Sequence, residues 1–165
     1  MGKFTLGLEK IEFGDIETDG GVATDWEIKG LTFKDSCTIE EADPTVQEFM
    51  SEENDTPEVI SVTDGIKSIK FQLMNPDADT RAYFMGGTVV TGPPKKWAAP
   101  NSKPTIEKSM KITPKNGSVL IIPRGSIRAK EVGGFAKSNL QMIEVTVTVM
   151  IPTKASEAPL YRVDS

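Results

Sequence analysis

The residues best suited to metal chemistry form a short acidic run near the start of the chain. Asp15, Glu17 and Asp19 alternate and are followed by Gly20, as in the first half of a calcium-binding EF-hand loop. The pattern then departs from an EF-hand, because Trp26 stands at the twelfth position, where a bidentate glutamate belongs. We therefore interpret the run as a solvated acidic turn and predict no metal site.

Side chains for acid–base and nucleophilic catalysis are scarce. The chain has no histidine and a single cysteine, Cys37, which excludes histidine-based triads, histidine-ligated zinc and an intrachain disulfide. It contains neither a Gly-x-Ser-x-Gly nucleophile elbow nor a glycine-rich phosphate loop. Carboxylates remain, since a pair of facing acids can hydrolyse a glycosidic bond. We predict a protein that is not an enzyme and has no cofactor, with a carboxylate hydrolase as the least favoured alternative.

A basic and aromatic cluster, Lys95-Lys96-Trp97, has the side chains of a nucleic-acid stacking contact. Tight binding of a polyanion usually needs a clustered positive face and a high isoelectric point. Here the isoelectric point is about 4.9. We interpret the cluster as an exposed loop whose Trp97 packs on the body of the protein or on a neighbour.

The net charge of −5 conceals two opposed regions. Residues 1–58 hold 16 of the 24 acids and 4 of the 19 bases, whereas residues 59–165 hold 8 acids and 15 bases. Interfaces between unlike surfaces favour opposite charges on the two meeting faces. The split therefore favours a protein that works by association.

The length of 165 residues fits one domain, so we predict a single domain over residues 1–165. No apolar run approaches the roughly 20 residues of a membrane span. Residues 1–13 alternate and carry charges, unlike a signal peptide. We expect a cytoplasmic protein without a membrane partner.

Period-two patterns predict strands over residues 4–13, 66–73 and 140–151, and an apolar run predicts another over 119–122. Asn116-Gly117 is typical of a tight hairpin turn. We also predict a strand over 26–33, and a turn at Pro123-Arg124-Gly125 that leads into a strand over 126–132.

One segment is predicted to form an α-helix. Asn75 is predicted to be the N-cap, Pro76 the first helical residue, and Gly86-Gly87 the end. A shorter helical turn is predicted from Asp43-Pro44 to Met50. Long loops are predicted at 14–25, 43–58 and 91–104. The fold class is mainly β: a two-sheet β-sandwich or barrel with one flanking α-helix.

Three segments, 33–49, 69–87 and 104–116, resemble parts of phage major tail proteins, the tail-tube subunits of long-tailed phages. The second is a strand that leads into a helix started by Asn-Pro and ended by Gly-Gly. The resemblance lies in the order of the predicted elements and in the general sequence pattern, and it covers most of the chain. It implies a chain from a phage or prophage.

The resemblance implies a two-sheet β core in which six copies close a ring. Strands of all copies would form an inner barrel, and stacked rings would make a tube through which DNA passes without specific binding. The partners would be further copies and other tail proteins. The subunit would be made in the bacterial cytoplasm and end in the virion tail. Tube proteins of bacterial secretion machines are similar in fold and stay an alternative.

The charge split and the long loops supply candidate assembly-interface residues. They are Asp15, Glu17, Asp19, Glu52, Glu53, Asp55, Lys95, Lys96, Trp97, Lys108 and Lys111. The main alternative function is a cytoplasmic β-barrel binding module for a small ligand or peptide, which would need a concave apolar pocket with convergent polar groups.

Overall fold

Strands hold about half of the chain. The computed structural model describes residues 2–164, and over that range it contains eleven strands and one helix. In chain order they are β1 (Leu6–Gly14), β2 (Thr38–Glu41), β3 (Thr45–Ser51), β4 (Asn54–Thr63), β5 (Lys67–Leu73), α1 (Ala78–Met85), β6 (Thr88–Val90), β7 (Lys96–Ala98), β8 (Ile106–Asn116), β9 (Val119–Val132), β10 (Met142–Val149) and β11 (Tyr161–Val163). The predicted mainly β fold with one helix is confirmed.

Seven strands form one antiparallel sheet in the order β1, β8, β9, β10, β5 and β2, with β11 pairing to the start of β9. Successive side chains of a strand point to opposite faces, so alternating apolar residues line the core. The buried ones in two central strands are Ile69, Phe71 and Leu73 of β5 and Ile143, Val145 and Val147 of β10. The patterns at 66–73 and 140–151 therefore predicted these strands correctly.

Strand β9 runs without interruption through Pro123-Arg124-Gly125, so the turn predicted there is wrong. Before this point β9 pairs with β11, and from Gly125 onward it pairs with β10. The buried Ser109 hydroxyl donates to the Pro123 carbonyl oxygen at 2.6 Å, beside a register shift in β8. The strand is thus held in a local irregularity rather than reversed.

The sheet curls until its two edge strands face a common space. Gly7 and Leu8 of β1 and Ile39 of β2 line one groove, although β1 and β2 are the opposite ends of the strand order. Near the change of partners, Arg124 donates to both carboxylate oxygens of Glu107 at 2.9 and 3.0 Å. A bidentate pair of this kind fixes direction as well as distance.

Aromatic rings fill the space between the sheet and α1. The ring centroid of Phe13 lies 5.9 Å from that of Phe71 and 5.0 Å from that of Phe84. Phe84 and Met85 bring the end of α1 into this core. The helix therefore flanks the sheet, as predicted.

The predicted N-terminus of the helix is displaced by two residues. Asp77, not Asn75, is the N-cap, and its carboxylate accepts from the Thr80 amide at 2.8 Å. The Asn75 side chain instead accepts from the Leu31 amide at 3.0 Å. The prediction of Asn75 as N-cap is wrong because both residues can cap a helix and a long-range contact decides between them. Gly86 ends the helix with a φ of 76°, as its position predicted.

The segment after β2 differs most from the prediction. Residues 43–50 form no helical turn, and most of the loop predicted at 43–58 is instead the hairpin of β3 and β4. Residues 26–33 form two isolated bridges, at Glu27 and Thr32, rather than a strand. Residues 14–25 and 91–104 are largely irregular, apart from β7. No helix in residues 2–164 is long and apolar enough to span a membrane.

Candidate assembly surfaces

The hairpin of β3 and β4, residues 45–63, is a two-stranded ribbon exposed on both faces, and we call it the ribbon. Its register pairs Val46 with Val62 and Phe49 with Val59. Six large apolar side chains of the ribbon are each more than half exposed: Val46, Phe49, Met50, Val59, Ile60 and Val62. An isolated two-stranded hairpin is marginally stable in water. The ribbon is therefore the element of this fold that most needs a partner.

The ribbon is also strongly acidic. It contains five acids and no base. The acids are Glu48, Glu52, Glu53, Asp55 and Glu58. None of them takes part in the ion pairs found among residues 2–164. The predicted interface residues Glu52, Glu53 and Asp55 therefore lie together at the ribbon tip, exposed and without a basic partner in the described part of the chain.

A groove of about 550 Å³ lies between the two edge strands, and we call it the edge groove. Its apolar wall is formed by Leu8, Phe33, Ile39, Ile112 and Leu120. The chain's one cysteine, Cys37, also lines it, and burial raises the pKa of that thiol. The groove is large enough to receive side chains from another molecule.

Positive charge dominates the lining of the edge groove. Lys34, Lys115 and Arg162 line it, against one acid, Asp35. Over residues 2–164, none of these three bases belongs to an ion pair. The edge groove and the ribbon are therefore two apolar surfaces of opposite charge.

The acidic run near the N-terminus is bound within the subunit. Asp15 pairs with Lys108, and that hydrogen bond lowers the pKa of the Asp15 carboxyl. The Glu17 carboxylate accepts from the Thr24 hydroxyl at 2.7 Å. Asp19 lies 3.0 Å from the Lys154 ammonium, which lowers the pKa of this carboxyl. Each acid has its own partner.

Asp15 and Glu17 line a small cleft of about 210 Å³ together with Asp25, Glu27 and Tyr83. A carboxyl that acts as a general acid near neutral pH needs a raised pKa. The pKa of Asp15 is lowered instead. Among residues 2–164, no group of three or more potential ligands is arranged to hold a metal ion. The lowered pKa argues against Asp15 as a general acid near neutral pH.

The predicted basic candidates also make contacts within the subunit. Lys108 lies 5.1 Å from the centre of the Tyr83 ring. Lys111 lies 5.1 Å from the centre of the Trp26 ring and 3.7 Å from the Glu12 carboxylate. Both ammonium groups thus stabilise the fold around β1 and β8.

The residues of the Lys95-Lys96-Trp97 cluster differ in their contacts: two bind within the subunit and one is exposed. Lys95 pairs with Asp79, and the Trp97 indole donates to the Gly86 carbonyl oxygen at 2.8 Å. Trp97 therefore packs on the body of its own subunit. Lys96 is exposed on β7 and is in no ion pair among residues 2–164.

Ion pairs within the subunit join some acids of the first 58 residues to bases of the rest of the chain. Five ion pairs join an acid from the first 58 residues to a base from the rest: Asp15–Lys108, Asp19–Lys154, Glu12–Lys111, Glu40–Lys70 and Glu41–Lys67. The ribbon acids and the groove bases remain outside this set.

Sequence reasoning missed the edge groove, which depends on pairing between distant strands. It also missed the exposed apolar ribbon residues, although the alternation in 45–49 and the run at 59–62 were available signals.

Comparison with known proteins is consistent with this architecture. No curated protein matches the chain. A family model described as phage tail tube protein matches residues 13–163, which include all of the strands from β2 to β11 and the last two residues of β1. The chain belongs to the phage tail tube protein family.

Proposed function

We propose that this protein is a structural subunit that self-assembles into rings, and that the rings stack into a tail tube through which phage DNA passes. The observation that carries the proposal is the ribbon, which exposes six large apolar side chains on a two-stranded hairpin. A stable free protein rarely leaves such an element without a partner. Membership of the tail tube family supports other copies and other tail proteins as the partners.

The edges of the curled sheet support a closed assembly. Strands β1 and β2 each pair on one side only within the main sheet. Edge strands present unpaired backbone groups that another chain can cover. Head-to-tail contacts between unlike surfaces generate rings when the rotation closes. Six copies per ring is the number that the family resemblance implies.

The role in the tube is mechanical rather than catalytic. An isoelectric point of about 4.9 favours passage of DNA without specific binding. We infer that the subunit is made in the host cytoplasm and becomes part of the virion tail, as expected for a tail component.

Sedimentation velocity and negative-stain electron microscopy test the proposal. The purified chain is examined over a range of concentrations and salt, alone and with tail proteins of the same phage. Rings or tubes of uniform diameter support the proposal. Monomers under every condition, with and without the tail proteins, contradict it.

The edge groove favours a second candidate, a binding module for a small ligand or peptide. Its volume of about 550 Å³ lies within the usual range for ligand pockets, roughly 300 to 1,000 Å³. This candidate would be favoured if the chain never assembles, and if an apolar compound binds it saturably and raises its melting temperature.

A further inference from the structure

We propose that the ribbon of one copy docks into the edge groove of a second copy, head to tail. The inference rests on the proposed self-assembly and names the two surfaces that would meet. The ribbon would insert the apolar side chains Phe49 and Met50 near its tip. The acids around the tip would face the basic lining of the groove.

The positions of the two surfaces in one copy favour contact between copies. The edge groove lies at the start of β2, at Cys37 and Ile39, whereas the ribbon leaves from the end of β2, after Glu41. Strand β3 has seven residues and spans about 23 Å at the usual rise of a strand. The ribbon and the edge groove are two different surfaces of one subunit, as the two halves of a heterologous contact must be.

Apolar complementarity supplies the attraction. Phe49 and Met50 are 55% and 56% exposed in the free subunit. The groove offers aliphatic walls from Leu8, Ile39 and Ile112. Burial of apolar area removes it from water and is the main favourable contribution to most protein association.

Charge complementarity selects the ribbon as the occupant of the groove. The ribbon carries five acids and no base. The groove carries Lys34, Lys115 and Arg162 against Asp35 alone. Opposite charges at the rim speed association and fix register, whereas like charges there are costly. A neutral or basic apolar segment would lack this match.

A charge-reversal mixing experiment tests the docking. One variant carries Glu52→Lys and Glu53→Lys in the ribbon, and the other carries Lys115→Glu and Arg162→Glu in the groove. Each variant alone opposes like charges, so we expect the concentration needed for assembly to rise about tenfold or more. An equimolar mixture restores opposite charges at every contact if the two variants alternate, so we expect it to assemble.

The mixing experiment has controls for folding and for charge in general. Far-UV circular dichroism and thermal unfolding show whether each variant folds. Asp25→Lys and Lys137→Glu reverse exposed charges outside both surfaces and should assemble as wild type. Assembly of either docking variant alone, or no recovery on mixing while wild type assembles, overturns the docking. A wild-type chain that never assembles contradicts the proposed function itself.

Cysteine cross-linking gives an independent measurement. Cys37 is the chain's one cysteine and lines the edge groove. A Met50→Cys variant oxidised with copper phenanthroline should give covalent dimers and higher ladders on a non-reducing gel. Phe135→Cys, which places a thiol on an exposed loop outside the groove, should give no product through Cys37. The double variant Met50→Cys, Cys37→Ser has one thiol per chain and must lose the higher ladder. Assembled Met50→Cys protein that gives no covalent product through Cys37 overturns the docking.

Discussion

Phe49 and Val59 face each other across the ribbon, and both are more than half exposed, at 55% and 58%. Such a cross-strand pair normally helps to bury one face of a sheet. Here the pair packs only along its own hairpin. The pair is therefore available to a partner, as the proposed assembly requires.

The change Phe49→Ser should separate assembly from folding. An exposed substitution away from the core is expected to alter the free energy of unfolding by less than about 0.5 kcal/mol. Burial of a phenylalanine contributes about 1.5–3 kcal/mol, and each 1.4 kcal/mol is about tenfold in affinity. The concentration at which rings appear should therefore rise by about tenfold or more, as measured by sedimentation velocity.

The matched control for that change is Phe135→Ser. Phe135 is 96% exposed on a loop outside the ribbon and the edge groove. Loss of assembly in both variants would mean that general apolar exposure, rather than the ribbon, drives association.

The change Gly125→Ala tests the close approach of β9 to β10 at Val147. A Cβ at this position would lie 2.4 Å from Val147 Cγ1, which is closer than any real contact. Overpacking of a core costs about 1–3 kcal/mol, so urea unfolding should show that loss. The further change Val147→Ala removes the clashing methyl group, so the double variant should lose less than the two single losses added together. Strict additivity would show that the close approach does not control stability.

The strands of the core could be predicted because their pattern is local. Ile69, Phe71 and Leu73 alternate with polar residues, and that period alone places them on one buried face. The Asn116-Gly117 turn is equally local, and Gly117 adopts a φ of 102° there. Such features need no knowledge of distant residues.

The continuity of β9 and the edge groove could not be predicted in the same way. Pro123 and Gly125 favour a turn by their local chemistry, but contacts from Ser109 and Glu107, on the neighbouring strand, keep the chain extended. The edge groove needs β1 and β2 brought together by a seven-stranded sheet. The fold also decides which candidate charges have partners: Lys108 and Asp15 pair with each other, whereas Glu52 and Glu53 are exposed and in no ion pair among the described residues.

The carboxyl group of Asp77 should make helix α1 sensitive to acid. A hydrogen bond from the Thr80 amide lowers its pKa from 3.8. The folded state therefore favours the carboxylate, and this contribution is present above pH 3.8 and is lost as pH falls through the lower folded pKa. Asp77→Asn keeps a capping side chain, so its stability at neutral pH should change little while the acid-dependent loss becomes smaller.

The comparison variant Asp77→Ala removes the cap altogether. It should lose about 1 kcal/mol at neutral pH, measured by urea unfolding. Equal stability of the Ala and Asn variants at neutral pH would show that the side chain does not cap the helix in solution.

Limited proteolysis should report on the ribbon directly. Glu52 and Glu53 are exposed between β3 and β4, so a glutamate-specific protease should cut the free subunit there first. If the ribbon is covered by a neighbouring copy, the same bonds should be protected in assembled tubes, as measured by mass spectrometry of the fragments. Trypsin cleavage after the exposed Lys137 serves as the control, because that loop lies outside both surfaces and should be cut in either state. Equal cleavage at Glu52 and Glu53 in free and assembled protein would show that the ribbon stays uncovered in the tube and that another surface joins the subunits.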